Sequence, residues 1–521
     1  MISKNKEVIY VLILLFFSIS VNQYYGFIGI NPIDSFFSFN SGYDILNGYF
    51  PFKDYWTITG PFIAFVQSIF FKVFGVSWFS YVFHASVFNF LLTISTFYTL
   101  YKLKLNLNYC FYYSFLVAIL AYPSSGTPYV DHQSAYLSII SVYCFILAIS
   151  LESRFYWFFL PIILGISFLT KQTPTGYIFL IIIFLLILYL IFNFNIKKIF
   201  YAFLGSLSLI IVFLGMLYLS KIPINNFFDQ YIQFPLSLGE SRLNFLFPIE
   251  FNRIFLRFKL IHLSYLILLI TIIKNLKNNT TYLIKKESLI IISLIGTSYS
   301  LIAHQLMTIN GMFIFFIIPI LLGFSHIFYL KYFKKRNFLI FFIIILSFSS
   351  TTYYWYKYIN KRDFMDLANI NIKNSINASE LSTKLNGLKW ITPLYPKEPM
   401  KEIMQLKEAI KIVQNDNRKK AIITDYQFIS IILSTYDYSP SQVWFDYHAN
   451  PKKNTQYYTI YKKFFINKIK ENNIEVFYVI KPMWGGNNIL ENTLEKNCYE
   501  KSVLTAIIDL YTLIECDELQ N

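Results

Sequence analysis

Long apolar runs separated by short polar stretches fill the chain from residue 8 to residue 356. Runs of about 20 apolar residues match the length a helix needs to cross a bilayer. They predict spans at 8–27, 78–101, 108–122, 134–151, 155–170, 174–194, 199–220, 255–274, 287–305, 312–330 and 337–356. A helix is the expected form because it satisfies its own backbone hydrogen bonds in hydrocarbon. One more apolar piece, GPFIAFVQSIFFKVFG at 60–75, is shorter and is flanked by Gly-Pro and Gly. After about residue 357 the pattern changes. KKAIITDYQFISIIL, NNIEVFYVIKP and SVLTAIIDLYTLIEC read as short buried strands, with the helix-like EPMKEIMQLKEAIKIV ahead of them. The expected architecture is a polytopic α-helical membrane protein of about eleven spans (1–356) followed by a small α/β domain (357–521).

Charge sets the expected topology. Lys4 and Lys6, Lys102 and Lys104, Arg154, Lys197 and Lys198, Lys274, Lys277, Lys285 and Lys286, and Lys331, Lys334, Lys335 and Arg336 fall in alternate connections. All lie on one side if 60–75 does not cross, and the positive-inside rule makes that side cytoplasmic. The 60–75 piece is therefore expected as a juxtamembrane or re-entrant helix on the outer face. The N-terminus lies inside, and its first span is retained because no small-residue cleavage site follows it. Outer loops are expected at 28–77, 123–133 and 221–254, with shorter turns at 171–173 and 306–311. The α/β domain is placed outside the cytoplasm.

Composition agrees with a membrane protein. Of 521 residues, 55% are hydrophobic and only 14% charged, against about a quarter charged in soluble domains; the mean hydropathy is +0.47. The net charge of +16 resides largely in the orienting loops, so it does not mark a nucleic-acid partner. Cys110 and Cys144 fall in apolar runs as packing residues. Cys498 and Cys516 are candidates for a disulfide between adjacent strands in an oxidising compartment, the alternative being two buried thiols.

Ionisable residues gather in the expected outer loops. The first holds Asp34, Asp44, Lys53 and Asp54; the second ends on Asp131 and His132; Lys171 stands in SFLTKQTPTG; the fourth, 221–254, brings Asp229, Glu240, Arg242, Glu250 and Arg253, followed by Arg257 and Lys259. Such groups at the rim of a bundle are costly and are functional candidates. Cations at the level of lipid phosphates, with carboxylates beside them as general bases, point to an anionic lipid head group as ligand.

Asp34, ILNGYFPFKDYW…GP and FKVFGVSW resemble the N-terminal signature of GT-C glycosyltransferases of the protein O-mannosyltransferase and aminoarabinose-transferase type and their bacterial relatives. Asp131 in YVDHQSA matches the acidic residue those families place at the end of the next outer loop, and FLTKQT resembles a Lys-containing segment of the bacterial members. The likeness covers roughly residues 25–200 and continues only as general layout, including an outer C-terminal domain. Asp34-Ser35 stands where those families often have Asp-Glu, and Pro51-Phe52 where they have Pro-Tyr. The resemblance implies an inverting transfer of a sugar from a polyprenyl-phosphate donor to a lipid, glycan or protein acceptor, in a bacterial inner membrane. Asp34 and Asp131 would be the catalytic carboxylates. Lys53, Asp54, His132, Lys171, Arg242, Arg253 and Arg257 would bind donor phosphate or substrate. No cofactor is implied, and neither a phosphate-cradling Gly-rich loop nor a Cys/His cluster at metal-ligand spacing is present. A divalent ion bridging Asp34 and Asp131 stays open, though the families resembled do not require one.

Each candidate has a plainer reading. Asp34 and Asp131 would serve as caps of the helices DSFFSF and QSAYLSII. Asp44 is expected as a solvated charge on a surface helix, Lys53–Asp54 as a local ion pair, His132 as a structural hydrogen-bonding histidine, and Lys171 as a snorkelling lysine. Arg242, Arg253, Arg257 and Lys259 share one phosphate role among them, His304 is a weaker candidate, and Asp446 and His448 of FDYHANPKKN read as loop. The aromatics of NGYFPFKDYWTITGP are expected to form a partly buried platform at the membrane interface that holds Asp34 over the donor. Rival functions are a polyprenyl-lipid or glycolipid transporter, which calls for mid-membrane charges and paired broken helices, and a non-catalytic scaffold of envelope assembly.

Overall fold

The computed structural model describes residues 2–246, 250–278, 285–333, 337–444, 449–483 and 489–520. Lys334, Lys335 and Arg336 of the last basic cluster, and the loop residues Asp446 and His448, lie outside the described residues. The chain forms two compact units, one of residues 1–26, 82–213 and 242–368, the other of residues 27–81, 214–241 and 369–521.

The first unit is a helical bundle. Among the described residues of the chain, eight helices are long and apolar enough to cross a membrane, the first Asn5–Gly26 and the last within Asn337–Met365. The protein is multi-pass. The other expected spans fall on the shorter Leu107–Leu120 and Arg154–Phe168 and on the consecutive pair Lys259–Ser264 and Leu266–Asn278. Burial separates centre from rim. Val130–Leu151 and the segment Ile314–Tyr332 are each 83% buried over their most apolar window, whereas Ile196–Leu219 is 11% buried. Phe200, Phe203, Ile211 and Val212 of that outer helix are exposed, as side chains facing lipid should be.

Hydroxyls and small residues join the central helices where lipid gives no hydrophobic drive for association. Ser138 of Val130–Leu151, Ser167 of Arg154–Phe168 and Thr175 of Thr175–Phe192 form a triangle of hydroxyls with edges of 2.8, 3.1 and 2.7 Å. A Cβ on Gly205 would meet the Phe158 carbonyl oxygen at 2.0 Å, so only glycine allows that helix crossing.

The second unit is α/β. Its strands are β1 (Ile376–Asn377), β2 (Lys389–Trp390), β3 (Lys420–Thr424), β4 (Val476–Ile480), β5 (Tyr499–Thr505) and β6 (Ile508–Leu513). β1 pairs with β2, and the larger sheet runs β3-β4-β6-β5, with β3 and β4 parallel and β6 antiparallel to both β4 and β5. Every residue of the central β4 is buried, which explains its unbroken apolar run. SVLTAIIDLYTLIEC, expected as one strand, is instead the end of β5 and all of β6. Ala506 and Ile507 turn the chain between them. Cys498 and Cys516 form the disulfide, closing the open end of this hairpin.

The stretches expected as outer loops of the membrane portion supply much of this second unit. Lys389 donates its backbone N–H to the Phe27 carbonyl at 2.9 Å, and Ile30 donates to Ile391 at 3.1 Å. Trp56 bonds along its backbone to Pro440 and Gln442. It is 1% exposed and packs on Phe234, Tyr461 and Phe464. Phe52 is fully buried against Phe227 and Tyr231. These aromatics are core residues of an α/β unit rather than an interfacial platform. The helix Phe62–Phe74 has 13 residues, about 20 Å at 1.5 Å per residue, too short to span a hydrocarbon core of about 30 Å.

Candidate active site

Within the helical unit the charged groups sort to two ends. Val130–Leu151 and Lys286–Thr308 pack against each other. At the C-terminal end of the former, Glu152 pairs with Lys286, with Lys198 Nζ 3.7 Å away, and Glu287, next in the chain after Lys286, pairs with Lys331 at 2.7 Å. These lysines belong to the clusters expected on one side, and they do share an end. At the other end Asp131 meets His304. The two helices are therefore antiparallel, with these two contacts roughly 30 Å apart along the axes.

Asp131 is the second residue of its helix, in the first turn, and Tyr129 stands at the cap position. The helix N-terminus itself favours a carboxylate there, so Asp131 is placed by the dipole rather than acting as a cap. Its side chain is fully buried and has three nitrogen groups around it. Lys171 Nζ forms an ion pair with Oδ1, His304 Nε2 lies 2.8 Å from the same oxygen, and Asn310 Nδ2 donates to Oδ2 at 2.8 Å. Lys171 comes from the tight turn between Arg154–Phe168 and Thr175–Phe192, which the hydroxyl triangle anchors beside Val130–Leu151. It retains 17% exposure. Asn310 is held by Gln305, whose amide donates to the Asn310 carbonyl at 2.7 Å.

Arg242, half-buried on the helix Gly239–Leu246, acts electrostatically on this group. Burial pushes its guanidinium below its ordinary value, and the Asp131 carboxylate pulls the other way. One buried carboxylate thus has two basic side chains acting on it, Lys171 by contact and Arg242 through space, an excess of basic groups at a rim of the bundle. An anion such as a phosphate ester suits that balance. Arg253 is half-buried within the π-helical turn Asn252–Leu256. Arg257, just after it, is exposed with its guanidinium over Phe258.

His132 is fully buried. Its Nε2 shares a 2.8 Å hydrogen bond with Ser124, and its ring stacks on Phe313 and meets Phe364 edge-on. The preceding loop is tied down by Arg362, a residue that no pattern in the chain singles out. Its guanidinium donates to the carbonyls of Pro123, Ser124 and Ser125 at 3.0, 3.3 and 2.8 Å. Gly126 has φ +77°, and a Cβ there would fall 2.6 Å from Gly26 Cα, so the turn leading to Asp131 accepts only glycine.

In the second unit, Asp34 is the third residue of the helix Pro32–Leu46 and is half-buried; the cap position is Asn31. Asp54 turns into its own loop. Its Oδ2 accepts the Phe50 N–H at 2.7 Å and lies 3.5 Å from Lys53 Nζ, an ion pair on a turn where Phe52 takes φ +67°. Asp44 corrects the expectation of a solvated charge. It is 3% exposed, because Pro32–Leu46 is an interior helix of this unit. Among the described residues no three His, Cys, Asp or Glu side chains lie together as a metal site would require.

No family model matches the sequence, and no curated protein matches it. Among solved structures the chain is similar to the Archaeoglobus fulgidus oligosaccharyltransferase in its apo form, with 12% identity over 91% of this chain and 69% of that one and a TM-score of 0.44. It is also similar to ArnT from Cupriavidus metallidurans bound to undecaprenyl phosphate, with 10% identity over 97% of each chain and a TM-score of 0.44. At these values the similarity assigns neither a family nor a substrate.

Proposed function

We propose that the protein is a membrane glycosyltransferase that moves a sugar from a polyprenyl-phosphate donor to an acceptor outside the cytoplasm. The observation that carries this reading is the buried Asp131–Lys171–His304–Asn310 group with Arg242, at the end of the bundle away from the basic clusters. That end is outer if the positive-inside rule holds, and it is where a lipid phosphate would lie with its isoprenoid tail in the bilayer.

In the proposed reaction the acceptor hydroxyl oxygen bonds to the anomeric carbon as the bond from that carbon to the phosphate oxygen breaks, with inversion. The acceptor proton passes to a carboxylate, for which the first-loop resemblance supports Asp34. Lys171 and Arg242 stabilise the growing charge of the leaving phosphate. Asp131 already pairs with Lys171 and accepts from Asn310, so its proposed part is to hold Lys171 in place rather than to take the proton. No metal enters this scheme. The disulfide Cys498–Cys516 supports an oxidising surrounding for the α/β unit.

The test offers purified protein a panel of polyprenyl-phosphate sugars with candidate acceptors and measures free polyprenyl phosphate. Release that vanishes in Asp34→Asn while the protein stays folded is the expected result. Flipping of donor between leaflets without release from any sugar would replace the transferase by a transporter.

A further inference from the structure

On the helix Phe62–Phe74 polar and apolar positions are reversed. Its buried side, Ile63, Ala64, Gln67, Ser68 and Phe71, packs on Pro32–Leu46 and holds both of the helix's uncharged polar residues. Gly42 allows the close approach there, since a Cβ on it would fall 2.4 Å from Gln67 Cγ. The opposite side carries Phe62, Val66, Ile69 and Val73, spaced i, i+4, i+7 and i+11 as one stripe of an α-helix. Ile69 is 59% and Val73 66% exposed, and Phe62 and Val66 are half-buried. Phe65 and Phe70 flank the stripe, and the exposed Lys72 stands at its edge. Two other helices of the same unit follow the usual pattern. Pro399–Asn415 exposes Lys401, Lys407, Glu408 and Lys411 beside two methionines, and Tyr458–Asn472 exposes Lys463, Asn467 and Glu471. The reversal therefore belongs to one helix, and it calls for apolar surroundings on that side.

What covers the stripe follows from the chain. Three residues, 75–77, separate Phe74 from Trp78, the first residue of the span Trp78–Lys102. The end of the helix thus lies at most about 14 Å from the start of a membrane-crossing segment, and Phe79 in the first turn of that segment is exposed as well. A second copy of the chain is a poor cover. The outward face measures about 20 Å by 10 Å, against about 800 Å² per partner in a stable interface. A lipid leaflet needs no such area, because the adjoining span already holds the helix beside it. An apolar stripe on one side of a short helix suits an axis parallel to the membrane plane. Lys72, at the edge of the stripe, can carry its ammonium to the lipid phosphates while its stem stays among apolar groups.

We propose that Phe62–Phe74 lies flat in one phospholipid leaflet, with Phe62, Val66, Ile69 and Val73 among the acyl chains, so that the α/β unit holds the membrane through a contact of its own. Neither the transferase nor the transporter reading is needed for this. The test places one spin label at a time, at Val66→Cys, Ile69→Cys or Val73→Cys, in the full-length protein reconstituted into phosphatidylcholine–phosphatidylglycerol vesicles. Cys110 and Cys144 are buried and Cys498 is bonded to Cys516, so the added thiol takes the label. Lys407→Cys on Pro399–Asn415 is the water-facing control. By EPR the three helix labels should be relaxed more by oxygen than by a water-soluble nickel chelate, at one common depth, and the label at 407 the reverse. Ile69 and Val73 are exposed, so their labels decide should Val66→Cys fail to fold. Stronger relaxation by nickel at the helix labels overturns the proposal, because the stripe then faces water. So do depths that change steadily along the helix, the mark of a re-entrant segment. Dipolar broadening between copies with both reagents excluded also overturns it, by putting a second copy of the chain on the stripe.

Discussion

The two ends of the helical unit carry ion pairs of similar make-up and opposite surroundings. At one end Glu152 is 52% exposed and Lys286 34%; at the other, Asp131 is 1% exposed and its ion-pair partner Lys171 17%. Exposed pairs are screened by water and contribute about 0–1 kcal/mol. A buried carboxylate is tolerable only with its donors in place, and removing one partner of a buried pair costs about 3–5 kcal/mol. The exposed end therefore orients the helices, whereas the buried end is maintained at a cost that orientation alone does not require. That difference is the reason the proposed function places the reaction at the Asp131 end.

The largest effect should come from Asp131→Asn, which leaves Lys171 beside an amide in a buried place. Transfer should disappear, and the protein should lose about 3–5 kcal/mol of stability, read as a lower melting temperature in detergent. Arg362→Met should follow. It frees three buried carbonyls, each worth about 1–3 kcal/mol when unsatisfied, and loosens the turn ahead of Asp131, so melting temperature should fall and transfer with it. Lys171→Met keeps the stem and removes the charge. Release of polyprenyl phosphate should drop about 100-fold, the scale of losing one donor to a developing anion, with a stability loss of similar size to that of Asp131→Asn, because the buried carboxylate loses its cation. The smallest effect belongs to Glu152→Gln, with less than about 1 kcal/mol of stability lost and release unchanged. A release defect in Glu152→Gln as large as that in Lys171→Met would erase the distinction between the two ends.

Much of this contrast was legible in the chain. Spans follow from runs of apolar residues, and the basic clusters from their alternation, because both are local patterns. Asp131 and Lys171 could be singled out because each interrupts an apolar run at its end. His304 was a weak candidate and Asn310 and Arg362 were none, since their roles depend on which helix ends meet in space. The same holds for Trp56 and Asp44. An aromatic-rich turn after a first span reads as interfacial, and an acid on a short helix reads as solvated. Only the pairing of 27–30 with β2, and of Trp56 with the segment at 440–442, makes the first loop part of an α/β core. The hairpin β5–β6 was missed because its two-residue turn, Ala506-Ile507, contains none of the usual turn residues.

Everything functional rests on the Asp131 end facing away from the cytoplasm. Single cysteines at Ile309, 64% exposed beside Asn310, and at Asn195, exposed next to the Lys197–Lys198 pair, would be treated in intact cells with a membrane-impermeant thiol reagent. The account predicts labelling at 309 and none at 195 until the cells are opened. Labelling at 195 but not at 309 would put the Asp131 group on the cytoplasmic side and contradict it.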